Sequence, residues 1–389
     1  MKYNFDKVID REGSDCIKWD HVDLYFGKKD LLPMWVADMD FEVPKEINEA
    51  IKKRTEHGVY GYTKRPDSFY YSLINWTNKR HNWDIKKEWI IYTPGVVPAI
   101  NIAINAYTKP GDKVIIQSPV YFPFSESVKN NGRQLIDNEL KLENGRYVMD
   151  FEDLEKKIDS RVKLLILCSP HNPIGRVWNE EELKKLGEIC LKNDILIVSD
   201  EIHSDIIYKG SKHIPISNIS NKLANNTITC LAPSKTFNIA GLSASSIIIP
   251  NEKLRIEFNK EIDNLHIGMA NIFGMVALEA AYNYGEKWLE ELLEYLEGNV
   301  KFVMDFIDDI PNVNVIRPEG TYLMWIDFNG LELNDEKLKD LIINKAKVAL
   351  NDGEDFGPGG KGFKRMNIAC PRSILKEGLE RIAKAVKEI

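Results

Sequence analysis

The stretch Ala232-Pro233-Ser234-Lys235-Thr236-Phe237-Asn238 follows a short apolar run, Thr227–Leu231, which is typical of a buried strand. Two similar pairs of apolar run and polar loop lie upstream: 164–167 before Ser169-Pro170-His171-Asn172-Pro173-Ile174-Gly175, and 195–198 before Ser199-Asp200-Glu201-Ile202-His203. Parallel strands of an α/β sheet present the loops at their carboxyl ends to one crevice. The pattern therefore predicts that Asn172, Asp200 and Lys235 meet at a single site.

These three residue types suit the cofactor pyridoxal phosphate. A lysine amine can form a Schiff base with its aldehyde, an aspartate can pair with its pyridine nitrogen, and a polar donor can bind its ring hydroxyl. Each residue alone also has an ordinary explanation: Lys235 as a surface lysine, Asp200 as a helix cap, and Asn172 as a turn residue before a proline. Their arrival from three neighbouring strands favours the cofactor site.

The motifs and their order resemble the class I/II pyridoxal-phosphate-dependent aminotransferase family of fold type I over nearly the whole chain. Within it, the chain is most similar to the MalY/PatB-type cystathionine β-lyase branch of C–S lyases. Six segments carry this narrower resemblance: 32–41, 60–62, 93–98, 200–203, 234–238 and 367–372. The resemblance implies an α/β fold with a large, doubly wound, mixed but mostly parallel sheet and a smaller α+β domain.

The length and the element pattern agree with two domains. The chain has 389 residues, and strand-like and helix-like runs alternate from Trp89 to about Asn238. Long helices follow, then short strands and a C-terminal helix. We therefore expect a large cofactor-binding domain over 44–285, and an N-terminal arm (1–43) that packs with a small C-terminal domain (286–389).

Composition argues against several classes of function. The net charge is −7 with mixed signs and no basic patch, so no nucleic-acid partner is expected. No apolar run approaches a membrane span, and the N-terminus lacks an apolar signal region. The five cysteines are dispersed without a C-x-x-C pair, which indicates a reducing compartment, most simply the cytoplasm. Asp200, His203 and Asp205 could imitate a metal site, but no metal-binding motif is present and no metal is predicted.

The resemblance assigns roles around the cofactor ring. Lys235 is the Schiff-base lysine and later the general base, Asp200 pairs with the pyridine nitrogen, and Asn172 donates to the ring oxygen. Glu201 is a rival carboxylate to Asp200. The resemblance also implies that Tyr121 stacks on the ring, although core packing is an alternative. Phe122 and Phe124 are rival aromatic residues nearby. The catalytic set is therefore Lys235, Asp200 and Tyr121.

A second group is expected around the cofactor phosphate. Gly95-Val96-Val97 lies where a predicted strand meets a helix, so the free N–H groups of Val96 and Val97 and the helix dipole favour an anion. Ser234 should add a hydroxyl. Tyr60 matches the family tyrosine that reaches the phosphate from the partner subunit, which implies a homodimer.

Two positions depart from the common aminotransferase pattern. Ser243 stands eight residues after the lysine, where many relatives carry an arginine that faces the phosphate. His203 replaces the tyrosine that many transaminases carry near the ring oxygen. The histidine fits the C–S lyase branch, and we count it among the cofactor-binding residues.

Arg372 is the expected substrate-binding residue. In the family an arginine after the last strand grips the substrate α-carboxylate, and Arg372 follows the run predicted as that strand. The alternative is an arginine at a helix N-terminus, where the helix dipole disfavours a cation.

The function that the resemblance implies is a lyase acting on a small amino-acid substrate. It would perform α,β-elimination on cystathionine or related S-substituted cysteines, releasing a thiol, pyruvate and ammonia in sulfur metabolism. An aminotransferase shares every step up to loss of the Cα proton, and motif spacing does not separate the two. A regulator that only binds the cofactor is a third alternative, but the acidic chain offers no DNA-binding segment.

Overall fold

The computed structural model describes residues 3–389 as an α/β protein. Its strands are β1 (Leu32–Pro33), β2 (Ile90–Thr93), β3 (Lys113–Ile116), β4 (Gln134–Asp137), β5 (Lys141–Glu143), β6 (Arg146–Val148), β7 (Val162–Cys168), β8 (Leu196–Asp200), β9 (Thr227–Leu231), β10 (Ser245–Ile248), β11 (Asn314–Ile316), β12 (Leu323–Asp327), β13 (Val348–Ala349), β14 (Asn351–Asp352) and β15 (Phe363–Asn367).

Its α-helices separate these strands and cover the sheets. They are α1 (Val22–Phe26), α2 (Lys45–Glu56), α3 (Asp67–His81), α4 (Val96–Tyr107), α5 (Pro123–Asn130), α6 (Phe151–Lys157), α7 (Glu180–Lys192), α8 (Asn221–Asn225), α9 (Pro233–Thr236), α10 (Glu252–Leu265), α11 (Ile272–Tyr284), α12 (Glu286–Ile307), α13 (Asp335–Lys339) and α14 (Arg372–Lys387).

The large sheet has seven strands in the order β2-β10-β9-β8-β7-β3-β4. β10 runs antiparallel to both neighbours and the other pairs are parallel, so the predicted mixed, mostly parallel sheet is confirmed. In this sheet Asp200 is level with Cys168 on one side and Cys230 on the other. The loops after β7, β8 and β9 therefore leave the sheet at one edge.

Local sequence explains where α7 begins. The Asn179 side chain accepts from the Glu182 N–H at 2.9 Å, and the Glu182 carboxylate accepts from the Asn179 N–H at 2.8 Å. This reciprocal capping box satisfies two N–H groups that a helix start leaves without partners. The helix that this capping box begins runs from Glu180 to Lys192.

One strand of the large sheet is absent from the sequence prediction. β10 begins with two serines, and hydroxyl residues in a short run are typical of a loop. Both serines are buried, and the Ser245 hydroxyl donates to the Thr93 carbonyl at 2.9 Å on the adjacent strand. A cross-strand hydrogen bond thus allows a polar segment to enter the sheet.

The C-terminal part is built on an antiparallel sheet in the order β11-β12-β15-β14. The N-terminal arm joins it through β1, which pairs in parallel with β13. Gly285 separates α11 from α12, and a domain boundary at this residue stays a prediction.

Two general features complete the description of residues 3–389. None of the helices in this range combines the length and the apolar character needed to cross a bilayer. All five cysteines are unpaired, and four of them are buried.

Candidate active site

A cavity of about 280 Å³ lies at the edge of the large sheet where β7, β8 and β9 end. It is lined by eight residues predicted from the sequence: Val96, Val97, Tyr121, Asn172, Asp200, His203, Ser234 and Lys235. The arm contributes Trp35, Val36 and Ala37, and the small sheet contributes Arg365. The cavity therefore gathers side chains from the arm and from both sheets.

Asp200, the last residue of β8, is a buried carboxylate with little compensation. Its side chain accepts one hydrogen bond, from the Ile202 N–H at 3.1 Å. Burial raises the pKa of Asp200 to about 7. Such a group favours a cationic N–H partner in the cavity. Its rival Glu201 instead turns away from the cavity and pairs with His213 at 2.9 Å.

Lys235 enters the cavity from α9, and its Nζ donates to the Ala37 carbonyl at 2.7 Å. Burial, assisted by the positive charge of Arg365, lowers the pKa of Lys235 to about 8. The carboxylates of Asp38 and Asp200 act in the opposite direction. A lysine with this pKa provides a neutral, nucleophilic amine close to neutral pH.

His203 is fully enclosed, and its Nδ1 has no partner among residues 3–389. Burial, with the nearby charges of Lys235 and Arg365, lowers the pKa of His203 well below its ordinary value. The imidazole is therefore neutral, and it contacts the ring of Tyr322 edge-on, with a centroid distance of 5.8 Å. A buried nitrogen without a partner beside a cavity is suited to a polar ligand atom.

Asn172 is held by the cavity arginine. Its Oδ1 accepts from Arg365 Nη1 at 3.0 Å, so its amide N–H groups remain the donors available to a ligand. Its backbone carbonyl accepts from the Tyr121 N–H at 3.0 Å, which sets the position of Tyr121 on the cavity wall. Phe124 is buried in the core, whereas Phe122 also lines the cavity.

One corner of the cavity suits an anion. α4 begins at Val96 after Gly95, and its first N–H groups have no helical acceptor. Ser234 and Ser243 line the same cavity. Lys235 and Arg365 are the lysine and the arginine of the lining. Among the described residues, no further arginine lines the cavity in place of the phosphate-facing arginine that Ser243 replaces.

Arg365 is the functional residue that the sequence prediction missed. It lies in the middle of β15, is fully buried, and burial lowers its pKa to about 10. Its guanidinium donates to Asn172 Oδ1, the Trp35 carbonyl and Asn351 Oδ1, at 3.0, 2.9 and 2.6 Å. A guanidinium has five N–H donors, and Nε has no partner, so donors remain for a ligand.

Arg372, the predicted carboxylate-binding residue, does not line this cavity. It is the first residue of α14, and its Nε donates to Asn299 Oδ1 at 2.6 Å. Its guanidinium lies over the ring of Phe302, 4.9 Å from the centroid. Arg372 instead lines a separate pocket, together with Asp6 of the arm and Tyr295 of α12.

Tyr60 also lies outside the cavity of its own chain. The side chain is about half exposed, its hydroxyl donates to the Thr55 carbonyl at 3.2 Å, and its ring packs near Phe273. Among residues 3–389, no group of three or more His, Cys, Asp or Glu side chains is arranged to hold a metal ion.

Comparisons with known proteins identify relatives of one family along most of the chain. The family model for aminotransferase class I and II matches residues 29–382. Cystathionine beta-lyase PatB of Bacillus subtilis is 46% identical over 385 residues, covering 98% of this chain and 100% of PatB. The structure of cystalysin from Treponema denticola, which contains pyridoxal 5'-phosphate, matches with a TM-score of 0.96 and 42% identity, covering both chains fully. The PLP-bound C–S lyase of Staphylococcus hominis matches with a TM-score of 0.93 and 35% identity, covering 99% of this chain and 98% of that one.

Proposed function

Because this chain belongs to the class I and II aminotransferase family, we propose that it is a pyridoxal-phosphate-dependent C–S lyase. It cleaves cystathionine or a related S-substituted cysteine by α,β-elimination. The observation that carries the proposal is the convergence of Lys235, Asp200 and Arg365 on one cavity in a chain whose full-length relatives are named cystathionine β-lyase and C–S lyase.

The residues of the cavity fit pyridoxal phosphate. The buried Asp200 carboxylate accepts one hydrogen bond and forms no ion pair among residues 3–389, and a protonated pyridine nitrogen would supply a cationic partner. The partnerless His203 Nδ1 and the free Asn172 amide suit the ring oxygen. The N–H groups of Val96 and Val97 and the hydroxyl of Ser234 suit the phosphate.

The bound cofactor supplies an aldehyde for amines and an electron sink for negative charge at the substrate Cα. Lys235 takes the Cα proton as general base, since its lowered pKa keeps the amine available. The electron pair of that C–H bond is left on the substrate and expels the thiolate from Cβ. Water then converts the released aminoacrylate to pyruvate and ammonia.

Arg365 takes the role that the sequence prediction gave to Arg372. It lies in the cavity with a free Nε donor, and its other donors are fixed by Asn172, Trp35 and Asn351. A planar guanidinium held in this way binds a carboxylate with defined orientation. We assign it the substrate α-carboxylate.

Tyr60 supports a homodimer in which each site receives a residue from its partner. It does not reach its own cavity, and it lies beside other exposed apolar residues, Val59 and Tyr62. Burial of such residues against a second copy is the usual reason for a symmetric dimer. The unpaired, dispersed cysteines support a reducing compartment, for which the cytoplasm is our proposal.

The first experiment is to load the purified protein with pyridoxal phosphate, reduce it with borohydride, and map the modified peptide. We expect the label on Lys235. The loaded enzyme is then tested on cystathionine, cystine, cysteine and S-alkyl cysteines for release of pyruvate and thiol. A label on another lysine, or no elimination from any of these thioethers and disulfides, would overturn the proposal.

A further inference from the structure

The Lys235 amine has a defined position when it forms no covalent bond to a ligand. Among residues 3–389, the Ala37 carbonyl is the hydrogen-bond acceptor of Nζ, at 2.7 Å. Ala37 itself lines the cavity. The free amine is therefore not loose in the site but is held against the N-terminal arm.

A second donor shares that carbonyl. The hydroxyl of Tyr322 donates to the Ala37 oxygen at 2.8 Å. Tyr322 is fully buried and lies immediately before β12, so it reaches the arm from the small sheet. One carbonyl of the arm thus joins the lysine of the large sheet to a tyrosine of the small sheet.

The arm is fixed on both sides of Ala37. The Asn367 amide donates to the carbonyls of Val36 and Asp38, at 2.5 and 2.6 Å. With both neighbouring peptide groups held by one side chain, the Ala37 carbonyl has little freedom to turn away from Lys235.

The backbone that carries Tyr322 is strained. Thr321 has φ of +67°, a left-handed conformation that a β-branched residue rarely adopts. It is held there by its N–H, which donates to the Ile206 carbonyl at 2.8 Å, and by its carbonyl, which accepts from the Tyr208 hydroxyl at 2.6 Å. Strain that the surroundings maintain is a sign of a functional constraint.

We propose that Tyr322 is a positioning residue for proton transfer: through the shared Ala37 carbonyl it holds the freed Lys235 amine at the substrate and keeps it neutral. A carbonyl oxygen that already accepts from a hydroxyl is a weaker acceptor for an ammonium group, so the shared bond disfavours protonated Lys235. The inference rests on the proposed function, because it concerns the lysine after substrate has displaced it.

Other groups also act on the Lys235 amine. Arg365 lowers its pKa, whereas the carboxylates of Asp38 and Asp200 raise it, and the neutral His203 carries no charge. Removing the Tyr322 hydroxyl leaves all of these in place. A change in the pKa of Lys235 in Tyr322→Phe therefore reports the shared carbonyl.

The first test compares Tyr322→Phe with Tyr107→Phe. Each tyrosine hydroxyl donates to one backbone carbonyl, that of Tyr107 to Leu254 at 2.7 Å, but Tyr107 lies outside the cavity and does not contact the arm. For Tyr322→Phe we expect kcat to fall roughly 10- to 100-fold with KM nearly unchanged, since a misplaced base loses rate rather than binding. The deuterium isotope effect on kcat/KM with α-deuterated substrate should rise, while Tyr107→Phe should match wild type.

The second test measures Lys235 directly in the loaded full-length enzyme. An S-alkyl α-methylcysteine displaces the lysine but has no Cα proton to lose. Acetylation of Lys235 by acetic anhydride is then followed against pH by peptide mass spectrometry. We expect the midpoint of acetylation to lie at higher pH in Tyr322→Phe than in wild type.

These outcomes separate the two proposals. If Lys235 of the wild type is never acetylated, with or without the analogue, the proposed displacement by substrate is wrong. If it is acetylated but its midpoint is unchanged or lower in Tyr322→Phe, or if the isotope effect does not rise, Tyr322 does not position the base.

Discussion

At the scale of single residues, burial sets the chemistry of the cavity. Asp200 and Lys235 are both enclosed, and burial moves the pKa of the acid up and that of the base down, to about 7 and about 8. Each group is therefore close to changing charge near neutral pH. The cavity therefore disfavours an unpaired charge on either residue. It favours a cofactor that gives Asp200 a cationic partner and bonds to the Lys235 amine.

The cost of burying Asp200 leads to a prediction for the cofactor-free protein. Because the pKa of Asp200 is raised from 3.8 to about 7, folding is penalised progressively as pH rises through this range, and fully above it. Asp200→Asn removes the charge and should raise stability by about 2–4 kcal/mol at pH 8. The melting temperature should therefore increase by a few degrees.

The pH dependence supplies the control for this prediction. At pH 5 the native carboxyl is protonated and only part of the penalty has developed, so Asp200→Asn should be more stable than the original chain by only about 1.5 kcal/mol, less than at pH 8. With the cofactor bound, the same variant should lose most of its activity, since the partner of the pyridine nitrogen is gone. A variant that is stabilised equally at both pH values would contradict the assignment.

Substitutions of Arg365 and Arg372 test which arginine binds the substrate α-carboxylate. Arg365→Ala removes the guanidinium from the cavity and should cost about 2–5 kcal/mol of binding, roughly 30-fold to several thousand-fold in kcat/KM. Arg365→Lys should recover only part of this loss, since an ammonium cannot form the planar fork. Steady-state kinetics on cystathionine measures both.

Arg372→Met is the control, because it keeps an unbranched apolar side chain and removes the guanidinium that lies over Phe302 and donates to Asn299, outside the cavity. We expect kcat/KM within a few-fold of wild type. A loss of roughly 30-fold or more in Arg372→Met, with Arg365→Ala close to wild type, would restore the original sequence prediction.

The sequence identified most cavity residues but not this arginine, for a physical reason. Asn172, Asp200 and Lys235 follow parallel strands, and the carboxyl edge of a parallel sheet is where loops meet a ligand. Arg365 instead lies within an antiparallel strand, where only the fold shows which face a side chain occupies. A usable signal was present, because Arg365 lies between the apolar residues Phe363 and Met366 in a predicted strand, and an arginine buried there needs a polar partner.

At the scale of elements, the N-terminal arm is held by side-chain amides rather than by a long strand. β1 has only two residues. Asn238, three residues after the cofactor lysine, accepts from the Met39 N–H and donates to the carbonyls of Met39 and Phe41, at 2.9, 2.9 and 3.0 Å. These bonds, together with those of Asn367 to the carbonyls of Val36 and Asp38, hold the arm against the cavity.

Asn238→Gly tests this role of the arm. Asn238 has φ of +57°, which glycine accepts without strain, so the substitution removes only the three hydrogen bonds. Each lost bond to a buried backbone group costs about 1–3 kcal/mol. We expect the Met39 amide to exchange with deuterium at least 10-fold faster, and the cofactor to dissociate more readily.

Asn82→Gly is the control, since Asn82 has φ of +50° at the end of α3 and does not bond the arm. Its Met39 exchange should equal that of wild type. Unchanged exchange in Asn238→Gly would show that other contacts hold the arm.

The sequence predicted strands correctly where the apolar run was nearly continuous. It missed a strand where buried residues are polar. The runs that became β7, β8 and β9 are nearly continuous apolar stretches, as central parallel strands require. β10 begins with two serines, and the hydroxyl of Ser245 finds its partner on another strand, so no local pattern in the sequence indicates a strand there.

At the scale of the whole molecule, the proposed dimer predicts complementation between two inactive variants. Tyr60→Ala removes the residue offered to the partner, and Lys235→Ala removes the base. A mixed dimer retains one site with both residues intact, so random exchange should restore about a quarter of wild-type activity. Activity is measured after subunit exchange has been confirmed by mass spectrometry, and no recovery would place Tyr60 in its own chain's site.

The proposed C–S lyase activity is tested most directly by the product balance with cystathionine as substrate and no 2-oxo acid present. We predict sustained turnover in which homocysteine, pyruvate and ammonium form in equal amounts, with none formed by Lys235→Ala. If reaction instead stops after one equivalent per site, resumes only when a 2-oxo acid is added, and yields no free thiol, the protein is an aminotransferase and the account is contradicted.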